Sequence, residues 1–117
     1  ENRLIQIKDR MPMRYNGELR LFVRAYDLLG SIPMGLKRVK IYMNDELIRD
    51  YDFTYFIKRD NIYYIAPNYT FEEVYGVDSH FYRGGNFTPR RGRYVFKTEV
   101  TDFDNKTVSL TRTVNFY

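Results

Sequence analysis

The sequence predicts an all-β protein, and more specifically a β-sandwich of about seven short strands. Stretches in which apolar and polar residues alternate recur along the chain, and turn-forming segments separate them. The 117 residues include 12 Tyr and 9 Phe, residue types that favour strands. No stretch has the periodicity of an amphipathic helix, and the length suits one domain covering residues 1–117.

The first strong strand is ELRLFVRAYD, which starts at residue 18. One face carries Leu19, Leu21, Val23 and Ala25. The opposite face is mixed, as expected of a half-buried strand. The segment that follows, DLLGSIPMG at 27–35, contains two glycines and a proline and is predicted to interrupt the strand.

The segments KRVKIYM and LIRDYDFTYF form a predicted pair of strands joined by a turn at residues 44–46. Val39, Ile41 and Met43 point to one side of the first strand. Asn and Asp in the turn tolerate left-handed backbone conformations. In the second strand, Tyr51, Phe53 and Tyr55 alternate with Asp50, Asp52 and Thr54. We expect the side that carries the aspartates to face water.

The middle of the chain has weaker signals. NIYYIA, at 61–66, predicts a short strand that Pro67 ends, and TFEEVY, at 70–75, suits either a strand or a single helical turn. The segment GVDSHFYRGGNFTPRRG at 76–92 has four glycines and no sustained periodicity, so it is predicted to be a long loop. Near the start, RLIQI predicts an edge strand that ends at Pro12.

The last 26 residues predict the closing hairpin, with a polar link at 102–106. Inward positions of the first strand are Tyr94, Phe96, Thr98 and Val100, and those of the second are Val108, Leu110, Val114 and Phe116. Arg112 interrupts the second apolar row. Either a bulge or a long side chain reaching solvent at the sheet margin would explain this arginine.

The closing segment GRYVFKTEVTDFDNKT resembles the final hairpin of bacterial immunoglobulin-like domains. The matching positions are Gly92, Tyr94, Asp102 and Asn105. LRLFVRAYD followed by KRVKIYMNDELI is similar to an earlier strand pair of the same domains, although the turn at 44–46 lacks their glycine. The chain is also similar to the subset found beside lysostaphin-type zinc endopeptidases.

This resemblance implies an immunoglobulin-like β-sandwich of about seven antiparallel strands, excised from a larger exported protein. It further implies a non-catalytic binding or spacer module, periplasmic or extracellular, whose partners are neighbouring domains, a cell-wall polymer or another protein. Tyr94 would take the tyrosine-corner role, with its hydroxyl reaching back to the preceding loop. Because the chain has no cysteine, packing alone must join the sheets.

The residues argue against an enzyme and against a resident metal or cofactor. His80 is the sole histidine and there is no cysteine, so the nitrogen and sulfur ligands of a zinc site are missing. Asp78, Ser79 and His80 are neighbours in sequence, and neighbours rarely converge on one reacting atom. A hydrolase that uses Asp and Glu pairs, such as Glu72, Glu73 and Asp78, is the enzymatic alternative.

The predicted ligand-binding residues lie in the glycine-rich segment. They are Tyr82, Arg83, Arg90, Arg91 and Arg93. Arginine beside aromatic residues suits carboxylate or phosphate groups. The net charge of +4 is too modest for a nucleic-acid partner, so an anionic polymer or a protein is expected.

Three other hypotheses remain open. Asp102, Asp104 and Asn105 would suit calcium, but so few ligands favour simple turn chemistry. Exposed tyrosines such as Tyr42, Tyr63 and Tyr82 would suit sugar rings in a carbohydrate- or protein-binding adhesion module. A free aromatic edge at 50–56 would suit a strand-pairing structural subunit. The sequence contains no apolar run long enough to be a membrane span.

Overall fold

The computed structural model describes residues 6–14, 17–24, 27–29, 32–34, 36–66, 68–75 and 81–117. These residues form ten strands and one helical turn, which confirms the all-β prediction. The elements are β1 (Met11–Met13), β2 (Leu19–Arg24), β3 (Asp27–Leu29), β4 (Ile32–Met34), β5 (Arg38–Met43), β6 (Glu46–Arg59), β7 (Ile62–Ala66), α1 (Phe71–Val74), β8 (Phe81–Phe87), β9 (Gly92–Thr101) and β10 (Thr107–Phe116).

Six strands form one large sheet in the order β1–β10–β9–β5–β6–β7. Every neighbouring pair in this sheet is antiparallel except β1 and β10, which run parallel. Strands β2 and β8 form a separate antiparallel pair, and β3 pairs with β4. The sequence therefore predicts the strand class correctly, while the strand number and the parallel pair differ from the prediction.

The β2–β8 pair packs against one face of the large sheet and so forms a second layer. The rings of Tyr82 and Phe53 lie 5.5 Å apart, and those of Phe87 and Phe96 lie 5.6 Å apart. The buried apolar side chains are Leu21, Leu36, Val39, Ile41, Tyr51, Ile65, Ala66, Val74, Tyr82, Phe96, Val114 and Phe116. This core lies on the face of the large sheet that the second layer covers.

Alternation places the predicted side chains correctly in the central strands. Val39 and Ile41 are buried, and Leu21 is buried on β2. Asn44 and Asp45 have φ angles of 52° and 66° and join β5 to β6 in a two-residue turn. Two positive φ angles are what a twisted hairpin requires, so the predicted turn is confirmed.

The predicted loop at 76–92 is wrong for residues 81–87, which form β8. Glycine in a strand often marks a place where other atoms approach the backbone closely. A Cβ atom at Gly84 would lie 2.7 Å from Cδ2 of Leu21, and one at Gly85 would lie 2.9 Å from Nη2 of Arg49. The two glycines make room for these side chains. In the sequence alone, the same two glycines indicate a loop.

Three strand predictions at the margins also need correction. Residues 3–5 of the predicted edge strand RLIQI fall outside the described residues, and residues 6 and 7 belong to no strand. Pro12 instead lies inside β1, at a sheet edge where a missing N–H is tolerated. The interruption predicted at 27–35 contains β3 and β4. Residues 50–56 are not a free edge, because β6 lies between β5 and β7.

The second layer is smaller than the large sheet, and this explains why part of the predicted inward face of β10 is exposed. Val108 and Leu110 share the predicted inward face but are 65% and 54% exposed. Phe87 of β8 contacts Phe96 and Phe116, at the other end of the β9–β10 hairpin. The register of this hairpin is continuous, so Arg112 needs no bulge.

The turn between β9 and β10 has the predicted chemistry. The Asp102 side chain accepts hydrogen bonds from the backbone N–H groups of Asp104 and Lys106, each at 2.9 Å. Asn105 adopts a φ of 64°. Within the described residues, no helix is long and apolar enough to cross a membrane.

Replacing Gly84 by alanine should destabilise the protein by about 1–3 kcal/mol, because the new methyl group overlaps the side chain of Leu21. Urea unfolding measures this cost. The same change in a Leu21→Ala background should cost less, since the overlapping atoms are then gone. An equal cost in both backgrounds would show that the contact with Leu21 is not what excludes a side chain at position 84.

A candidate anion-binding cleft

A cleft of about 510 Å³ lies beside the second layer, bordered by β6 of the large sheet and by α1. Its lining residues are Arg20, Leu21, Phe22, Arg49, Tyr69, Glu72, Glu73, Arg83, Gly85 and Asn86. Three guanidinium groups and two carboxylates therefore meet around one depression. The volume falls within the range of about 300–1,000 Å³ that is typical of ligand pockets.

Arg49 reaches the cleft because it lies on the inner face of β6. It pairs with the buried Ile41 in the same register that pairs Tyr51 with Val39, so Arg49 and Tyr51 share a face of the sheet. Nη1 of Arg49 donates a hydrogen bond of 2.7 Å to the carbonyl of Ile48, and the other end of its guanidinium lies against Gly85. Regular side-chain alternation thus turns a charged side chain toward the face that the second layer only partly covers.

Arg83 is held in place by three contacts. Its Nε atom donates a hydrogen bond of 2.9 Å to the carbonyl of Tyr75, and its guanidinium lies 5.6 Å from the ring centre of Phe22. Its own carbonyl accepts a 2.5 Å hydrogen bond from the hydroxyl of Tyr51. A half-buried arginine fixed in this way has lost part of its conformational freedom before any ligand arrives.

The cleft has a surplus of positive charge. Among the described residues, the two ion pairs join Arg38 to Asp50 and Lys97 to Glu99. Neither pair includes an arginine of the cleft. The guanidinium groups of Arg20, Arg49 and Arg83 therefore have no carboxylate partner in the described part of the chain, and such groups suit carboxylate or phosphate ligands.

The acidic side of the cleft comes from the single turn α1, one of the two alternatives predicted for TFEEVY. Thr70 and Glu73 form a capping box in which Glu73 Oε1 accepts from the backbone N–H of Thr70 at 3.1 Å and from its hydroxyl at 3.0 Å. The neighbouring Glu72 is exposed and makes no ion pair or hydrogen bond with the described residues. One of the two carboxylates thus has a structural role, and the other does not.

The five predicted ligand-binding residues do not form one cluster. Tyr82 is only 2% exposed and belongs to the core, so it is not available as a surface contact. Arg83 lines the cleft, whereas Arg90 and Arg91 lie in an exposed segment between β8 and β9. Arg93 borders a second depression, of about 560 Å³, on the strand after them.

Two arginines of the cleft were missed because they lie in regular strands. Arg20 alternates with the apolar Leu19 and Leu21, and such a position usually faces solvent. Arg49 shares the face of Tyr51 and Phe53, but a charged residue in an apolar row usually marks the margin of the buried face. The small size of the second layer leaves room for both side chains, and no sequence signal marks this feature.

Other predicted residues have separate outcomes. Tyr63 is 54% exposed and lies beneath the amine of Lys58, while half-buried Tyr42 lies beneath that of Lys97. Asp78, Ser79 and His80 fall outside the described residues. Within the described residues, no group of three His, Cys, Asp or Glu side chains is placed to hold a metal ion.

The predicted contact of Tyr94 is confirmed. Its hydroxyl oxygen accepts a 3.0 Å hydrogen bond from the backbone N–H of Arg90, in the segment just before β9. The ring of Tyr94 meets that of Phe116 edge-on at 5.1 Å. This tyrosine therefore ties the exposed arginine segment to the core.

One family model matches the chain over residues 1–117, and the family that it represents is uncharacterised. The chain therefore belongs to this family. No curated protein and no solved structure matches the chain. The chemistry of the cleft is thus the observation from which a function can be proposed.

Two buried tyrosines should make the free energy of unfolding decrease at alkaline pH. Burial raises the pKa of Tyr51 to about 12 and that of Tyr82 to about 12, above the ordinary value of 10.0. Their stabilising contribution is complete below pH 10 and is lost as the pH rises to 12, because the unfolded chain releases these protons first. We expect each tyrosine to account for about 2–3 kcal/mol of that loss.

Urea unfolding between pH 9 and pH 12 measures this loss, with Tyr82→Phe as the comparison. This variant lacks one of the two buried hydroxyls, so its free energy of unfolding should fall less steeply over the same range. A parallel decline in both proteins would mean that Tyr82 titrates in the folded protein as it does in the unfolded chain.

Proposed function

We propose that this member of the family is a non-catalytic, immunoglobulin-like binding or spacer module of an exported or cell-surface bacterial protein, and that its cleft binds an anionic group. The observation that carries the proposal is the set of three guanidinium groups without a described carboxylate partner, one of them held by the carbonyl of Tyr75 and the ring of Phe22. The ligand would present a carboxylate or a phosphate, on a cell-wall polymer or on another protein.

The strand order supports the immunoglobulin-like part of the proposal. In variable-type immunoglobulin domains, strands G, F, C, C′ and C″ share one sheet, and strands B and E lie in the other. The order β10–β9–β5–β6–β7, with β2 paired to β8, has the same arrangement when the strands are taken in chain order. The second layer is then a reduced version of the sheet that contains B and E.

Two further points support this assignment. Tyr94 lies near the start of β9, and its hydroxyl hydrogen-bonds to the backbone of the segment before it, as a tyrosine corner does. The sequence resemblance to domains beside lysostaphin-type zinc endopeptidases supports an accessory role next to a cell-wall peptidase. Neighbouring domains of the same polypeptide would then be its constant partners.

The arrangement of carboxylates supports a non-catalytic role. Hydrolysis of a glycosidic bond uses two carboxyl groups that flank the bond. In the cleft, the carboxylate of Glu73 is engaged by Thr70, and Glu72 lies beside it on the same helical turn. Two neighbouring carboxylates on one wall do not flank a bound substrate from opposite sides.

One observation favours a strand-pairing structural subunit as the second candidate. Strand β7 lies at an edge of the large sheet, and its Ile62 and Tyr63 are 50% and 54% exposed. Tyr69 pairs with Ile65 at this edge, so the part open to a further strand is the start of β7. A molecular mass that increases with protein concentration would favour this candidate over a monomeric binding module.

Sedimentation with purified bacterial cell-wall material tests the main proposal. The double variant Arg20→Ala, Arg49→Gln should bind at least about ten-fold more weakly than the parent protein, which corresponds to the loss of a single charge-assisted hydrogen bond. Raising the salt concentration should weaken the binding of the parent protein in the same direction.

The matched control removes the same number of charges outside the cleft. Arg90→Ala, Arg91→Ala changes two exposed arginines of the segment before β9 and should leave the affinity within about two-fold of the parent. Equal losses in the two double variants would assign the binding to overall charge. Unchanged binding in the cleft variant would remove the cleft from the proposal.

A further inference from the structure

We infer that the cleft selects a zwitterionic ligand, namely a short peptide segment that carries a free carboxylate and a protonated amine. This inference rests on the proposed function, since it takes the arginines of the cleft as the anion-binding groups. It adds a role for Glu72, which the anion-binding proposal leaves unused.

The charges of the cleft are separated by structural element. The three arginines project from strands, with Arg20 on β2, Arg49 on β6 and Arg83 on β8, whereas both carboxylates belong to α1. The cleft therefore presents cationic groups from the strands and acidic groups from α1. A ligand with charges of both signs finds a partner of opposite sign for each of them.

Glu72 is the acidic group that is available to such a ligand. Glu73 is occupied by the capping box, which also holds the backbone of α1 in place beneath Glu72. Val74, on the same turn, is fully buried. The carboxylate of Glu72 thus projects from an anchored turn, and no hydrogen bond or ion pair within the described residues engages it.

The carboxylates of α1 also argue against a purely anionic ligand. A polyanion that reached all three arginines would bring further negative charge toward Glu72 and Glu73, and like charges repel. An added amine on the ligand converts this repulsion into attraction. Electrostatic selection of this kind works against the wrong ligand as well as for the right one.

The remaining lining suits a peptide. Tyr69 and Phe22 contribute aromatic surface, and Asn86 contributes an amide that both donates and accepts hydrogen bonds. A peptide backbone needs both kinds of partner along its length. The volume of about 510 Å³ accommodates a segment of a few residues rather than a folded domain.

Three probes that differ only at their ends test this inference: trialanine, N-acetyl-trialanine and trialanine amide. Titration followed by chemical shifts of the protein gives their dissociation constants. Trialanine should bind about 2- to 5-fold more tightly than N-acetyl-trialanine, the size of effect expected of one partly exposed ion pair. Trialanine amide should bind more weakly than trialanine, because it lacks the carboxylate.

The variant Glu72→Gln should abolish the preference for trialanine over its acetylated form and leave the binding of the acetylated form unchanged or slightly stronger. Glu46→Gln, which neutralises an exposed carboxylate at the start of β6, is the matched control and should retain the preference. Equal affinities for the two peptides in the parent protein would overturn the inference. So would a preference that survives in Glu72→Gln.

The failure of the inference and the failure of the proposed function give different results. If the two peptides bind equally and both are lost in Arg20→Ala, Arg49→Gln, the cleft binds anions but does not select zwitterions. If cell-wall material binds through the arginines and no peptide binds, the inference alone is overturned. If neither the peptides nor cell-wall material depend on the arginines, both proposals fail.

Discussion

The hydrogen bond from the Tyr51 hydroxyl to the carbonyl of Arg83 is the contact on which the arrangement of the two layers depends. Tyr51 is fully buried on β6, so its hydroxyl must find a partner inside the protein. That partner lies on β8, directly before Gly84. The absence of a side chain at Gly84 lets Leu21 of the adjacent strand pack against the backbone at this point. The polar contact thus joins β8 to the large sheet, and the close approach joins β8 to β2 within the second layer.

The cleft is a consequence of the same constraint. Because only two strands form the second layer, part of the large sheet near Arg49 stays uncovered, and α1 borders the gap from the other side. The carbonyl of Arg83 is fixed by Tyr51, while its side chain is fixed by the carbonyl of Tyr75. The core therefore determines the position of a binding group, and the site needs no loop to assemble it.

Side-chain alternation was enough to predict the strand class, the central pair around Ile41, and the turn at Asn44, because each depends on local backbone preferences. The site could not be predicted in this way. Alternation gives Arg49 the same face as Tyr51, but the sequence does not show that the second layer leaves this part of the face open. Gly84 reads as a loop signal unless the side chain that occupies its space is known. Tyr82 was expected at the surface, since a tyrosine beside arginines looks polar in sequence, yet its strand turns it into the core. Long-range packing decided all three.

The parallel alignment of β1 with β10 affects how the protein responds to mechanical load. In the parallel register, Met11 pairs with Val114 and Met13 pairs with Phe116. The backbone N–H of Tyr117 then donates a 3.0 Å hydrogen bond to the carbonyl of Met13. Tension applied before β1 and after β10 pulls these two strands in opposite directions along their axes. Their hydrogen bonds are then strained together in shear, whereas the bonds of an antiparallel hairpin pulled at its open end break one after another. A domain with this geometry can transmit force along a polypeptide without unravelling from its ends.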